Sequence, residues 1–256
     1  MPRASGAAIF TLVAALSLGL TGCTSSNYTW GWYVVSPFDP RGRDNLSFLV
    51  SGVAATLSIS LVSIIISVLL GVIVALAALS KRKAWRNLNR AYVETFRAVP
   101  LLVLLLWVYY GLPVVAGLQF GVFAAGVISL ALSDSAFEAE IFRGGIQSIS
   151  QGQWEAGRSV GLTSWQVMRL VVLPQAIRRI LPALGNQFVY VLKMSSLISV
   201  IGYQDLTRRA NELTLVEYRP LEIYTALVIE YLVLIAAASW LVRRLERRLA
   251  AGGRGR

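Results

Sequence analysis

The chain has 256 residues, 56% of them hydrophobic and only 14% charged, with a formal net charge of +11 and a mean hydropathy of +0.63. A soluble domain carries about 25% charged residues, so there are too few charges here to cover a water-exposed surface, and lipid must solvate much of it. One cysteine and no histidine exclude a disulfide framework, a Cys/His metal site and a Ser/His triad, and no Gly-x-x-x-x-Gly-Lys-Ser/Thr loop is present to cradle ATP.

Residues 1–22 read as a signal peptide or signal anchor. Arg3 supplies a positive region, and Ala7 to Leu20 an apolar core shorter than a membrane span. The stretch ends in Leu20-Thr21-Gly22-Cys23, which resembles the lipobox of bacterial lipoproteins and makes Cys23 a lipidation candidate. An uncleaved anchor, or an upstream start codon that is not used, is the alternative reading. Residues 23–47 are then an extracytoplasmic segment, where Tyr28, Trp30, Trp32 and Tyr33 suit the membrane interface.

Five apolar segments follow, at about 48–79, 96–116, 121–141, 182–202 and 222–242, each near or above the ~20 residues that cross the hydrocarbon core. The predicted fold class is therefore all-α, a polytopic transmembrane helical bundle of five core spans. Basic residues cluster at the span ends. Lys81, Arg82, Lys83, Arg86 and Arg90 form a loop, and Arg243, Arg244, Arg247, Arg248, Arg254 and Arg256 form a tail. With Arg143, Arg158, Arg169, Arg178 and Arg179 of the 143–181 loop, they fall on one side if spans alternate, and that side is the cytoplasm. The positive charge thus marks topology rather than a nucleic-acid surface, for which no stacking aromatics are placed. Arg208, Arg209 and Arg219 fall on the outer side and dissent.

In the first span Thr56, Ser60, Ser63, Ser67 and Gly71 recur at three- and four-residue spacing, a stripe of small residues for close helix packing. Pro100 and Pro113 should kink or end the second span. In the third, Asp134 and Glu138 share one helix face and need a cation or a proton. The candidates are a substrate ammonium, Lys193 of the fourth span, or an arginine of a second subunit; a hydrated pair balanced by Lys193 is the bland alternative. Glu140 lies three residues before Arg143 and reads as a structural ion pair. Glu230 stands in mid-span, facing either a water-filled cavity or a partner helix. Asp134, Glu138, Lys193 and Glu230 are the substrate-pathway candidates, because an ionisable group in lipid is costly and functional by default.

The stretch Ser150 to Pro182 is the most informative. Ser150 with Gln153, and Thr163 with Gln166, are two capping boxes that each start a helix. Gly161 suits the left-handed stop between them. The second helix should end before Pro174, which opens another, and Pro182 should open the fourth span. Trp154, Val160, Leu162, Trp165 and Met168 are too apolar for a free loop and ask for a docking surface, or for the lipid interface.

Glu155-Ala156-Gly157, then Gly161, then Val171-Val172-Leu173-Pro174 resembles the EAA signature of ABC importer permeases, with Gly157 where alanine and Val171 where isoleucine is usual. Glycine at 157 predicts a looser helix. Phe96-Arg97-Ala98-Val99-Pro100-Leu101-Leu102, Ala139-Glu140-Ile141-Phe142-Arg143-Gly144-Gly145-Ile146, Leu173-Pro174-Gln175-Ala176 and Leu184-Gly185-Asn186-Gln187-Phe188 extend the resemblance, to polar amino-acid permeases of the histidine/glutamine type. It covers residues 48–248, with a basic cytoplasmic tail at 249–256. It implies an ABC importer type I transmembrane domain in the bacterial inner membrane, with no enzymatic activity and no cofactor of its own. ATP and Mg would belong to a partner ATPase dimer, coupled through Glu155, Ala156, Gly157, Gly161, Leu173 and Pro174. An extracytoplasmic solute-binding protein and a second permease subunit, identical or not, complete the implied assembly. Met194 stands where relatives usually show Asp or Asn, and Glu230 where they show an apolar residue, which loosens any inference about the solute. The alternatives are an ion-gradient-driven secondary transporter, to which no internal repeat points, and a non-transporting membrane scaffold.

Overall fold

The computed structural model describes residues 28–251, and among them every regular element is a helix. The leader and Cys23 lie outside the described residues. Four helical runs are long and apolar enough to cross a bilayer: Pro40–Ala78, Val122–Gln147, Ser164–Ile201 and Pro220–Arg248. A bent pair, Lys83–Ala98 with Leu101–Ala116, taken as one broken crossing, brings the number to the expected five.

The first run starts earlier than predicted. Helix α1 (Pro40–Val50) is capped by Asp39, whose carboxylate accepts from the Arg41 and Gly42 amides, with Pro40 preset for the first turn. It abuts α2 (Gly52–Ala78), in which Thr56, Ser60, Ser63, Ser67 and Gly71 are all buried, as the small-residue stripe required. The facing helix is α6 (Val122–Gln147). A Cβ added at Gly71 would lie 2.8 Å from Glu138 Cβ, so glycine sets how closely the two backbones approach.

The basic stretch read as a loop is instead mostly helix α3 (Lys83–Ala98). Asn89, Tyr92, Val93 and Phe96 recur at three- and four-residue spacing and give the helix an inward side, with Leu88 exposed at its edge. Asn89 Nδ2 donates to the Val74 carbonyl (2.9 Å), Tyr92 shares a 2.7 Å hydrogen bond with Ser135, and Val93 packs with Ala75 and Ala139. The chain then turns through 99°. Val99 is extended (φ −81°, ψ 123°), as a residue preceding proline prefers. After Pro100 come α4 (Leu101–Leu106), a π turn (Trp107–Gly111) and α5 (Leu112–Ala116). Pro113 therefore does not break the run: the π turn, in which the Leu112 amide reaches back to the Trp107 carbonyl, gives the ring its room.

The same device overturns the prediction for the fourth span. Helix α7 (Gln151–Ser159) is followed by α8 (Ser164–Val167), a π turn (Met168–Val172), α9 (Leu173–Met194) and a 3-10 segment (Ser195–Ile201). The helix neither ends before Pro174 nor begins at Pro182. The π turn places Pro174 in the first turn of α9, where its missing N–H costs nothing, and Pro182 is carried inside α9 for the loss of one ladder bond.

After the 3-10 segment, α10 (Leu206–Glu217) precedes α11 (Pro220–Ala251). Two of the dissenting arginines are compensated there: Arg208 pairs with Glu212 at 2.8 Å, and Arg209 lies over the Phe48 ring at 4.6 Å. Asp205 caps α10, accepting from the Arg208 amide at 2.8 Å, while its other oxygen is buried without a partner. Burial pushes its pKa up to about 7, and the backbone donors pull it back only in part. The unfolded value is near 3.9, so between these limits the folded chain holds a proton that the unfolded chain releases. This carboxyl therefore makes stability fall as pH rises from about 4 to about 7, and the loss is complete above that. Asp205→Asn keeps a good N-cap and is expected to remove this part of the slope in thermal denaturation of the detergent-solubilised protein. A slope unchanged by the substitution would assign it to another group.

Candidate coupling hairpin and membrane-embedded charges

Between α6 and α9 the chain makes a compact hairpin. Gly161 adopts φ +82°, and the Leu162 and Gly161 amides return to the Gly157 (3.2 Å) and Arg158 (2.9 Å) carbonyls, a Schellman closure of α7. The Thr163–Gln166 capping box forms as predicted, at 3.3 and 2.8 Å. The Ser150–Gln153 box does not. The Ser150 side chain makes no cap bond: the Gln153 amide donates to the Ser150 carbonyl (3.0 Å), and the Gln153 side chain accepts from Gln175 at the start of α9 (3.0 Å). Gln175 also donates to the Val171 carbonyl (2.8 Å), so it ties α7 to α9 across the π turn. It stood in a quoted motif, but nothing in its spacing marks that role.

The apolar residues divide. Trp154, Leu162 and Met168 pack around Val167, Val172, Ala176 and Ile180, whereas Val160 and Trp165 stay 76% and 70% exposed. Glu155 and Ala156 face outward, and Gly157 is buried. A Cβ at 157 would lie 2.9 Å from Val167 Cγ2. The glycine therefore brings α7 onto α8, which offsets the looseness expected from its low helix propensity. Leu173 and Pro174 are exposed at the head of α9.

The embedded charges are arranged differently from the simplest expectation. Asp134 (3% exposed) and Glu138 (0%) are enclosed within the helix packing. Ser67 Oγ lies 2.7 Å from Asp134 Oδ2 and 3.0 Å from Glu138 Oε2, and Gln187 Nε2 donates to Asp134 Oδ1. Lys193 does not balance the pair. It is exposed and lines a pocket of about 480 Å³ between α9 and α11, with Asn186, Tyr190, Ser239 and Glu246. Sequence reasoning missed Ser67 as a ligand of the carboxylates, reading it only as a small residue, and named Gln187 only within a motif, without this role. Glu140 and Arg143 form the expected ion pair. Glu230 is half-buried, with both carboxylate oxygens enclosed and no hydrogen-bond partner among the described residues. No cluster of potential metal ligands occurs among the described residues.

Residues 67–251 match the family described as binding-protein-dependent transport system inner membrane component. The chain is 35% identical over 205 residues to the glutamine transport system permease protein GlnP of Escherichia coli K12, covering 80% of this chain and 94% of the relative. It is 41% identical over 206 residues to the probable glutamine ABC transporter permease protein GlnM of Bacillus subtilis 168, covering 80% and 95%. Among solved structures it superposes on an amino acid ABC transporter crystallised with histidines at a TM-score of 0.79 and 40% identity, covering 86% of this chain and 100% of the other. The MetNI methionine ABC transporter in an inward-facing conformation follows at 0.67 and 25%, covering 79% and 96%.

Proposed function

The chain belongs to the family of binding-protein-dependent transport system inner-membrane components, and from this we propose that it conducts a polar amino acid, glutamine first among them, through an importer powered by ATP in a separate subunit. The observation that carries the proposal is the hairpin of α7 and α8. Its inner face is packed and its turn is closed by hydrogen bonds, yet it holds Glu155, Val160 and Trp165 outward at the cytoplasmic end. A rigid element with unpaired apolar side chains at a water-exposed end is a docking surface. An ion-gradient transporter or a membrane scaffold leaves it without a role. An ATPase pair holding ATP and Mg, an outer solute-binding protein and a second permease subunit complete the proposed assembly.

Lys193 is the embedded charge we place on the solute path. An exposed ammonium on a spanning helix is not sustained against lipid and belongs beside water or a partner subunit. Asp134 and Glu138 stand behind that path as a buried cluster joining the spans, and Glu230 faces inward on α11 without touching the solute. Reconstitution with its ATPase and binding protein is expected to give glutamine uptake that requires ATP. Uptake of equal rate without ATP, driven by an ion gradient, would overturn the proposal.

A further inference from the structure

Helix α3 has two flanks of opposite chemistry. On one, Ile73, Leu76, Trp85, Leu88 and Tyr92 line an apolar groove of about 430 Å³. On the other, Arg86, Arg90, Glu94, Arg97, Glu140 and Arg143 line a pocket of about 420 Å³. The first suits lipid tails. The second does not, because charged side chains line it from the end of α6 inward to Arg97.

Arg97 sits over the Phe137 ring at 5.1 Å, and the ten residues from Phe137 to the end of α6 at Gln147 amount to about 15 Å of helix. That is about half the thickness of a hydrocarbon core. Arg90 and Glu94 are exposed and make no ion pair among the described residues. Arg97 is the deepest of the three, and Glu94 and Arg90 lead from it about one turn at a time toward Arg143 and Gln147 at the end of α6; unpaired charges along such a descent into the membrane require water on their side of the helix.

The polar flank also reaches toward the pocket of Lys193 through ring contacts. Phe137 touches Arg97 on one side and Tyr190 on the other, at a ring separation of 6.4 Å, and Tyr190 lines the Lys193 pocket. A chain of contacts therefore leads from Arg97, in the pocket of Arg90 and Glu94, past Phe137 and Tyr190 to the pocket of Lys193.

We infer that the polar flank of α3 is the wet wall of the inner half of the solute path, where Glu94 meets the ammonium and Arg90 the carboxylate of an amino acid leaving for the cytoplasm. Arg90 and Glu94 are one helical turn apart on the same face and present opposite charges. An α-amino acid, whose ammonium and carboxylate are carried on one carbon, bridges such a pair. The inference rests on the permease reading above, and its test is separate from that reading.

Single cysteines at Arg90, Glu94 and Leu88 are introduced into the complete complex in inside-out vesicles, with Cys23 retained and the unsubstituted complex as blank. A membrane-impermeant thiol reagent is applied from the cytoplasmic face. Arg90→Cys and Glu94→Cys are expected to react faster than Leu88→Cys by an order of magnitude or more, and excess glutamine to slow them severalfold. Ala98→Cys, a milder change one turn beyond Glu94, is expected to follow them if either charge substitution prevents assembly. Labelling at 94 and 98 no faster than at 88 would overturn the inference, even in complexes that import glutamine normally. Fast labelling that excess glutamine leaves unchanged would confirm the wet wall and overturn the solute contact. Loss of ATP-dependent uptake in the unsubstituted complex would instead count against the permease reading, leaving the labelling result to stand by itself.

Discussion

Trp165→Ala and Glu155→Lys are each expected to cut ATP-driven uptake by about 5–150-fold, the span of a typical coupling free energy, while leaving the permease folded. Trp165 is 70% exposed on the hairpin and makes its capping turn through neighbours rather than through its ring. Its loss removes an aromatic anchor, worth about 2 kcal/mol or more when buried at an interface, and little from the isolated chain, where surface changes stay within about 0.5 kcal/mol. Glu155 accepts a 2.9 Å hydrogen bond from Gln151 on the same exposed face. Lysine there reverses the charge presented to the partner without disturbing Gly157 or the Schellman turn. Two readouts separate docking from folding: co-purification of the ATPase, expected to weaken, and thermal stability of the permease alone, expected to hold. Retained co-purification together with full uptake in both variants would remove the hairpin from the coupling path.

The second large effect is structural. Gly71→Val should prevent accumulation of folded protein, because even its Cβ would lie 2.8 Å from Glu138 Cβ and 3.3 Å from the Ala139 amide nitrogen. Overpacking of this kind costs about 1–3 kcal/mol, and more where backbone must move. The displaced neighbour is a buried carboxyl, so the Ser67 contacts are lost with it. Gly144 provides the contrast. It also lies on α6, but an added Cβ meets nothing within 4 Å. Gly144→Ala is expected to gain up to about 1 kcal/mol of helix propensity. Melting of the purified variants in detergent checks both directions. Equal behaviour of the two glycines would show that the α2–α6 seam is looser than these distances require.

Some of this architecture was legible in the residues and some was not. The spans were readable as apolar runs, because hydrocarbon leaves a chain little choice but helix. So was the seam of α2, because serine and glycine at helical spacing have few other uses inside a membrane. The Thr163–Gln166 turn was readable because its capping partners lie within four residues of each other. The errors arose where a local rule met a backbone able to bend it. Pro174 and Pro182 were read as boundaries, yet a π turn of Met168–Val172 absorbs the first and α9 tolerates the second. The basic stretch after α2 was read as loop because its charges dominate its composition, although its buried side is helical. Lys193 stood among the candidate counter-ions of Asp134 and Glu138 because sequence gives charge but not facing. The actual partners, Ser67 and Gln187, are neutral and come from two other helices.

The uninterrupted helical run from Ser164 to Ile201 makes the fourth crossing a lever. Its 38 residues amount to about 57 Å of helix, so a tilt of roughly 5° at the cytoplasmic root would sweep the far tip through about 5 Å. Had the proline at 174 interrupted the rod, a push on the root would have been lost at the break. The single wide turn beside it is thus where torsion would concentrate, and stiffening or slackening that one turn should set how much of each stroke reaches the outer leaflet.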